Sequence, residues 1–188
     1  MTDQLRPEHH RALFKTRSLG FAVALLVFAV DQIVKLAIIH KLALPRVLQI
    51  PVLPIFSLTW AENYGISLGL FQAGSNAQRW ILVAITAILA IGIMIWMLRE
   101  RYRTEIYSLG MVLGGALGNI LDRSLRGYVV DYADLHVGTF RPFLIFNLAD
   151  VAITFGVLIV LARSLLSRDK QPEPQKDAGQ TNPAAPET

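Results

Sequence analysis

Four stretches of this chain are long and apolar enough to require burial along their whole length: Leu19–Ile39, Trp80–Leu98, Ile106–Leu121 and Leu148–Leu166. A helix that crosses a bilayer needs ~20 such residues, with a range of ~17–25. The third stretch is the shortest and holds Gly110, Gly114, Gly115 and Gly118. In water those glycines argue against a helix. In a membrane, small residues let helices approach closely, so the stretch reads as a helix packed tightly against its neighbours. Hydrophobic residues make up 53% of the chain and charged ones only 17%, unlike a soluble domain of similar length. The fold predicted is an all-α membrane protein with four transmembrane helices.

Basic residues in the short connections set the orientation. Arg11, Lys15 and Arg17 precede the first span, Arg99, Arg101 and Arg103 separate the second from the third, and Arg163, Arg168 and Lys170 stand at and after the end of the fourth. Four spans place all of these on one side, so both termini are predicted to be cytoplasmic. The loops 40–79 and 122–147 then lie outside. Residues 1–18 read as a charged, flexible leader. The first apolar stretch runs on past Asp31 without a small-residue cleavage site, so it reads as a retained span rather than a removed signal peptide. Residues 167–188 are polar and proline-rich and are predicted to be disordered. The chain has no cysteine, which excludes disulfides, thiolate catalysis and cysteine-ligated metals. The net charge of +4 is not gathered into a basic stripe with interleaved aromatics, which argues against nucleic acid as a partner.

The outer loops have their own patterning. Residues 46–63 carry short β-branched and aromatic runs interrupted by Pro51 and Pro54, which predicts edge strands or a small hairpin on the membrane face. "GYVVDYADLHV" (127–137) alternates, with Asp131, Ala133, Leu135 and Val137 on one face of a strand. "GSNAQRW" reads as a helix start capped by Ser75 or Asn76.

Polar residues stand at the junctions of spans and loops. Asp31 and Lys35 lie four apart inside the first span, acid before base, and so share a helix face. An unpaired charge near the membrane centre costs ~2.5–3.5 kcal/mol on insertion scales, so they read as a neutralised pair or as a contact for a polar substrate group. Asn63 and Gly65 read as an Asn-x-Gly turn. Asn119 and Arg123 share a face at the outer end of the third span, where Asp122 beside Arg123 is placed to brace the following loop. Asp150 falls in the first turns of the fourth span, where the helix dipole favours a carboxylate and apolar surroundings oppose ionisation. Asn147 lies three residues earlier, on the same helical face, placed to orient a carboxylate or to bind substrate backbone. Folding Asp131 onto Asp150 would make two carboxylates share one proton, one fit to deprotonate water and the other to protonate a carbonyl. Spacing alone leaves a bland alternative, that both are ordinary interfacial acids.

Taken together, "VDQIVK", "NYG", "GGALGNILDR", "GYVVDY" and "FNLAD" occur in this order at the span junctions. Over residues 19–166 the set resembles lipoprotein signal peptidase, the type II signal peptidase of bacteria. The resemblance implies a multi-pass aspartyl endopeptidase of the bacterial inner membrane, without metal or organic cofactor, whose active site faces the periplasm. Its substrates would be diacylglyceryl-modified prolipoproteins, cut on the N-terminal side of the lipidated cysteine. It further implies a small periplasmic β-cradle, a helix lying on the membrane, contact with membrane lipid, and inhibition by cyclic peptides of the globomycin type. Asp131 and Asp150 match the family's catalytic pair; Asp31, Lys35, Asn63, Gly65, Asn119, Arg123 and Asn147 match positions that shape or support the site. The chain departs from the usual pattern at Ile66 and Leu68, where the family has small residues, and at Val151, where it often has Ser.

Two other readings fit fewer of these residues. A proton or cation transporter would use Asp31, Asp131 and Asp150 as a relay, but neither a repeat nor an acid in spans two and three supports it. An intramembrane aspartyl protease of the presenilin type lacks its Gly-x-Gly-Asp element here.

Overall fold

The structure is a computed structural model that describes residues 6–65 and 76–168. The chain runs α1 (Arg6–Leu36), a single π turn (Ala37–Lys41), α2 (Leu44–Val47), β1 (Gln49–Leu53), β2 (Phe56–Asn63), α3 (Asn76–Arg99), α4 (Arg103–Arg126), β3 (Val129–Leu135) and α5 (Leu148–Arg168). The protein is therefore mostly helical, with one small antiparallel sheet. Every long helix extends beyond the apolar stretch that announces it, because Lys, Arg and Glu at the ends are good helix formers. The leader departs from its expected flexibility. From Arg6 onward it is the first part of α1, since no glycine or proline interrupts residues 8–18.

Three helical segments are long and apolar enough to cross a membrane: Leu13–Lys41, Asn76–Arg99 and Leu148–Leu166. Their outward faces are apolar and open, with Leu25, Leu26, Ile33, Ile88, Leu89 and Leu165 all more than half exposed. A soluble monomer does not leave so large a continuous surface bare. Helix α4 differs: its glycines, charges and polar residues lower its hydropathy, and it sits between α1, α3 and α5. Its glycines explain the closeness. A Cβ on Gly114 would collide with the Ala24 carbonyl of α1, and one on Gly115 would lie 2.5 Å from the Ala149 carbonyl of α5. The core between α1, α3 and α4 is closed by Ala24, Ala90, Met97, Ile106, Leu109 and Leu113.

The sheet has the order β1-β2-β3. The hairpin expected over 46–63 forms as β1 and β2, with Pro51 in the edge strand β1, where a missing N–H is tolerated. β3 pairs with β2, placing Asp131 opposite Ala61 and Val129 opposite Asn63. The alternation expected of β3 is not an in–out pattern. Val129 through Asp134 are all buried, because Val130, Tyr132 and Ala133 pack with Ile38 and Leu44 while the other face meets helix ends. The segment before α5 covers the free edge of β3. Tyr132 and Ala133 donate N–H to the Phe146 carbonyl at 3.1 and 2.8 Å, and Phe146 N–H returns to Ala133 at 3.1 Å. These bonds fasten the strand carrying Asp131 to the entry of the helix carrying Asp150.

Some expectations fall elsewhere. Within 46–79, the described residues contain only the end of α2 and the start of α3 as helix; the remaining stretch where a membrane-lying helix was expected, 66–75, is outside the described residues. Ser75, Ile66, Leu68 and the tail 169–188 are also outside them.

Candidate active site

Asp150 is held by a reciprocal cap. Asn147 does not sit on the helical face, as expected, but immediately before α5, as its N-cap. Its Oδ1 accepts the Asp150 N–H at 3.0 Å, and its own N–H donates to Asp150 Oδ2 at 3.2 Å. This is a capping box with Asp at the third helical position. The sequence cue was visible: Asn followed three residues later by an acid at the edge of an apolar run.

The Asn147 amide has a second task. Its Nδ2 donates to Asp131 Oδ1 at 2.6 Å and to Asn119 Oδ1 at 3.3 Å. One side chain thus touches the carboxylate of Asp131 and the helix turn of Asp150. Asn63, at the end of β2, donates to Asp131 Oδ2 at 3.0 Å, and its Oδ1 accepts the Gly65 N–H at 3.1 Å. Asn119 donates to Asp150 Oδ1 at 2.9 Å. Three asparagines therefore orient two acids, each by an amide N–H that favours the charged form. Burial works against that. Asp131 is 2% exposed, and burial, then the neighbouring Asp150 charge, pushes its carboxyl up to about 7 despite Asn63, Asn147 and Lys35.

Behind the acids, Asp31 and Lys35 form the expected pair at 2.9 Å, both fully buried. Lys35 also reaches Asn119 Oδ1 at 3.2 Å. Arg123 donates from Nη2 to the Gly65 carbonyl at 2.6 Å, and its charge lies within electrostatic reach of Asp150 and Asp131. All nine residues singled out in the sequence, Asp31, Lys35, Asn63, Gly65, Asn119, Arg123, Asp131, Asn147 and Asp150, are joined in one network. The network also takes in Asp122, read from the sequence only as bracing a loop and lying 2.8 Å from Lys35, and Gln32, whose Nε2 donates to Asp31 Oδ2 at 3.1 Å. Among the described residues, no three His, Asp or Glu side chains lie close enough to hold a metal ion.

Two carboxylates, one forced toward its neutral form, sharing a partner and fixed by amides, are suited to acid–base chemistry on a water molecule. Residues 23–166 match the family described as signal peptidase (SPase) II. The lipoprotein signal peptidase of Rhizorhabdus wittichii is 50% identical over 163 residues, covering 86% of this chain and 95% of the relative. That of Sphingopyxis alaskensis is 49% identical over 151 residues, covering 80% and 87%. A solved structure described as a bacterial membrane enzyme, determined by the in meso method at 2.3 Å resolution, superposes with a TM-score of 0.71 at 25% identity, over 85% of this chain and 95% of the other. The family match spans most of the chain and every residue of the network above, and on that extent the chain belongs to the signal peptidase II family and is a bacterial membrane protease.

Proposed function

We propose that this protein removes signal peptides from diacylglyceryl-modified prolipoproteins, cutting on the N-terminal side of the lipidated cysteine, with Asp131 and Asp150 as the catalytic pair. The supporting observation is the convergence of Asn63, Asn119 and Asn147 on those two carboxylates. At neutral pH the pair holds one proton. The ionised member takes a proton from water, and the resulting hydroxide attacks the scissile carbonyl carbon. The protonated member donates to the carbonyl oxygen, giving a tetrahedral diol. Collapse re-forms the carbonyl as one hydroxyl returns its proton to the acid that had donated it, the C–N bond breaks, and the proton taken from water goes to the departing amine. Asn63, Asn119 and Asn147 keep the carboxyls aimed at one point. Among the described residues, the buried Arg123 Nε has no hydrogen-bond partner.

In this reading α4 is a fourth span, shielded by its neighbours from lipid. Residues 1–18 and 167–188 lie in the cytoplasm, and the loops 40–79 and 122–147 form the periplasmic face with the sheet. A diacylated cysteine stays in the outer leaflet, so a cleavage centre at span ends meets it without extracting it. Cyclic peptides of the globomycin type would occupy the same centre. The test is cleavage of a diacylglyceryl-modified precursor by the purified full chain in proteoliposomes. Turnover is expected, blocked by such a peptide and absent in folded Asp131→Asn and Asp150→Asn proteins. Turnover retained in either variant would overturn the assignment.

A further inference from the structure

The buried lysine of α1 connects the two site acids through their backbones. Lys35 Nζ lies 2.9 Å from Asp31 Oδ2, 2.8 Å from Asp122 Oδ2 and 3.2 Å from Asn119 Oδ1, so each of its three N–H groups has an acceptor. Asp31, Lys35 and Asp122 are all fully buried. Each carboxylate also accepts a backbone N–H next to a site acid. Asp31 Oδ1 accepts from Ala149 at 3.1 Å, one residue before Asp150. Asp122 Oδ2 accepts from Val130 at 3.2 Å, one residue before Asp131. The two arms are alike: cation, carboxylate, backbone N–H, site acid. Asp122 is further fixed by Arg126 and by Gln32 Nε2, the latter at 3.4 Å.

We infer that Asp122 is a positioning residue for the hydrolysis: through Lys35 and the Val130 N–H it sets where β3 presents Asp131 relative to Asp150. The inference rests on the reading of Asp131 and Asp150 as the catalytic pair. A residue that only stabilised the fold would need a carboxylate near Lys35 but no bond to the strand. Here the bond goes to the residue adjoining Asp131, and Asp31 does the same for Asp150.

Asp122→Asn removes the charge while keeping shape. The charged groups that act on Asp131 are then Asp150, Lys35 and Arg123, with Tyr132 beside it and the Lys35 charge less compensated. A carboxylate beside a less compensated cation ionises more readily, so the alkaline limb of the rate profile moves to lower pH. The experiment measures kcat, KM and the kcat–pH profile on a diacylglyceryl-modified precursor for Asp122→Asn, Asp131→Asn and Asp150→Asn in the same membranes. Expected for Asp122→Asn is a KM within about twofold of wild type, a kcat at least about tenfold lower, and the acid-shifted limb. Val130→Pro removes the backbone donor near the start of an edge strand together with the buried Val130 side chain, so its kcat is read per folded active site. It is expected to lower kcat without moving the limb, and it decides the question if Asp122→Asn does not fold. Wild-type kcat and pH profile in folded Asp122→Asn, with Asp131→Asn and Asp150→Asn inactive, overturns this inference alone. So does a smaller yield of active protein with kcat per active site and pH profile unchanged. Turnover in Asp131→Asn or Asp150→Asn overturns the catalytic pair, and this inference with it.

Discussion

Gly115→Ala is predicted to separate stability from activity. Gly115 faces α5, and an added Cβ would lie 2.5 Å from the Ala149 carbonyl oxygen and 2.9 Å from Ile153 Cγ1. The isoleucine can rotate, but the backbone carbonyl cannot. A methyl carbon needs about 3.5 Å to a neighbour, so α4 and α5 must part by roughly 1 Å at this turn. Asn119 lies one turn along α4 and Asp150 is the residue after Ala149. Their 2.9 Å hydrogen bond therefore stretches beyond bonding range. The strain of overpacking is about 1–3 kcal/mol, but alanine regains about 1 kcal/mol over glycine inside a helix. Net destabilisation is thus roughly 0–2 kcal/mol, a modest loss. A displacement of about 1 Å at a catalytic group costs on the order of 100-fold in rate. The assay is kcat on a lipidated precursor beside thermal unfolding in the same detergent. The control is Gly92→Ala on α3, where an added Cβ meets nothing within 4 Å; it should unfold no earlier than wild type and turn over normally. Wild-type kcat in Gly115→Ala, or equal damage from Gly92→Ala, would refute the packing argument.

Two further outcomes follow from buried charge. The Asp131 carboxyl is raised from 3.8 to about 7 in the fold, so between those values the folded state keeps a proton that the unfolded chain has released. Stability therefore falls as pH rises from about 4 to 7 and levels off above; thermal midpoints across that range should show this slope, and Asp131→Asn should flatten it. Lys35→Met leaves Asp31 and Asp122 buried without the cation between them. Breaking such a pair costs about 3–5 kcal/mol, so the yield of folded protein should drop sharply, and adding Asp31→Asn should recover part of it.

The helices were legible because their apolar stretches are long, and the acids because each closes or opens such a stretch. The Asp31–Lys35 pair was legible from helical spacing alone. Two things were not. Asn147 was placed on a helical face, though Asn-x-x-Asp at an apolar boundary is a capping pattern, and this cap residue bridges the two acids. Asp122 was seen as bracing a loop, but its partner Lys35 comes from another helix 87 positions away, and no local spacing announces that contact. The burial of Val129 through Asp134 on both faces of β3 also escaped alternation, because helix ends cover the face that a lone strand would leave open.

The central claim is that Asp131 and Asp150 act as a pair sharing one proton. The pH dependence of kcat/KM for a diacylglyceryl-modified precursor tests it most directly. A bell is predicted, rising as the first acid ionises and falling near pH 7 as the second loses its proton. A rate that stays level from about pH 5 to 9, or that only rises across that range, would contradict a shared proton.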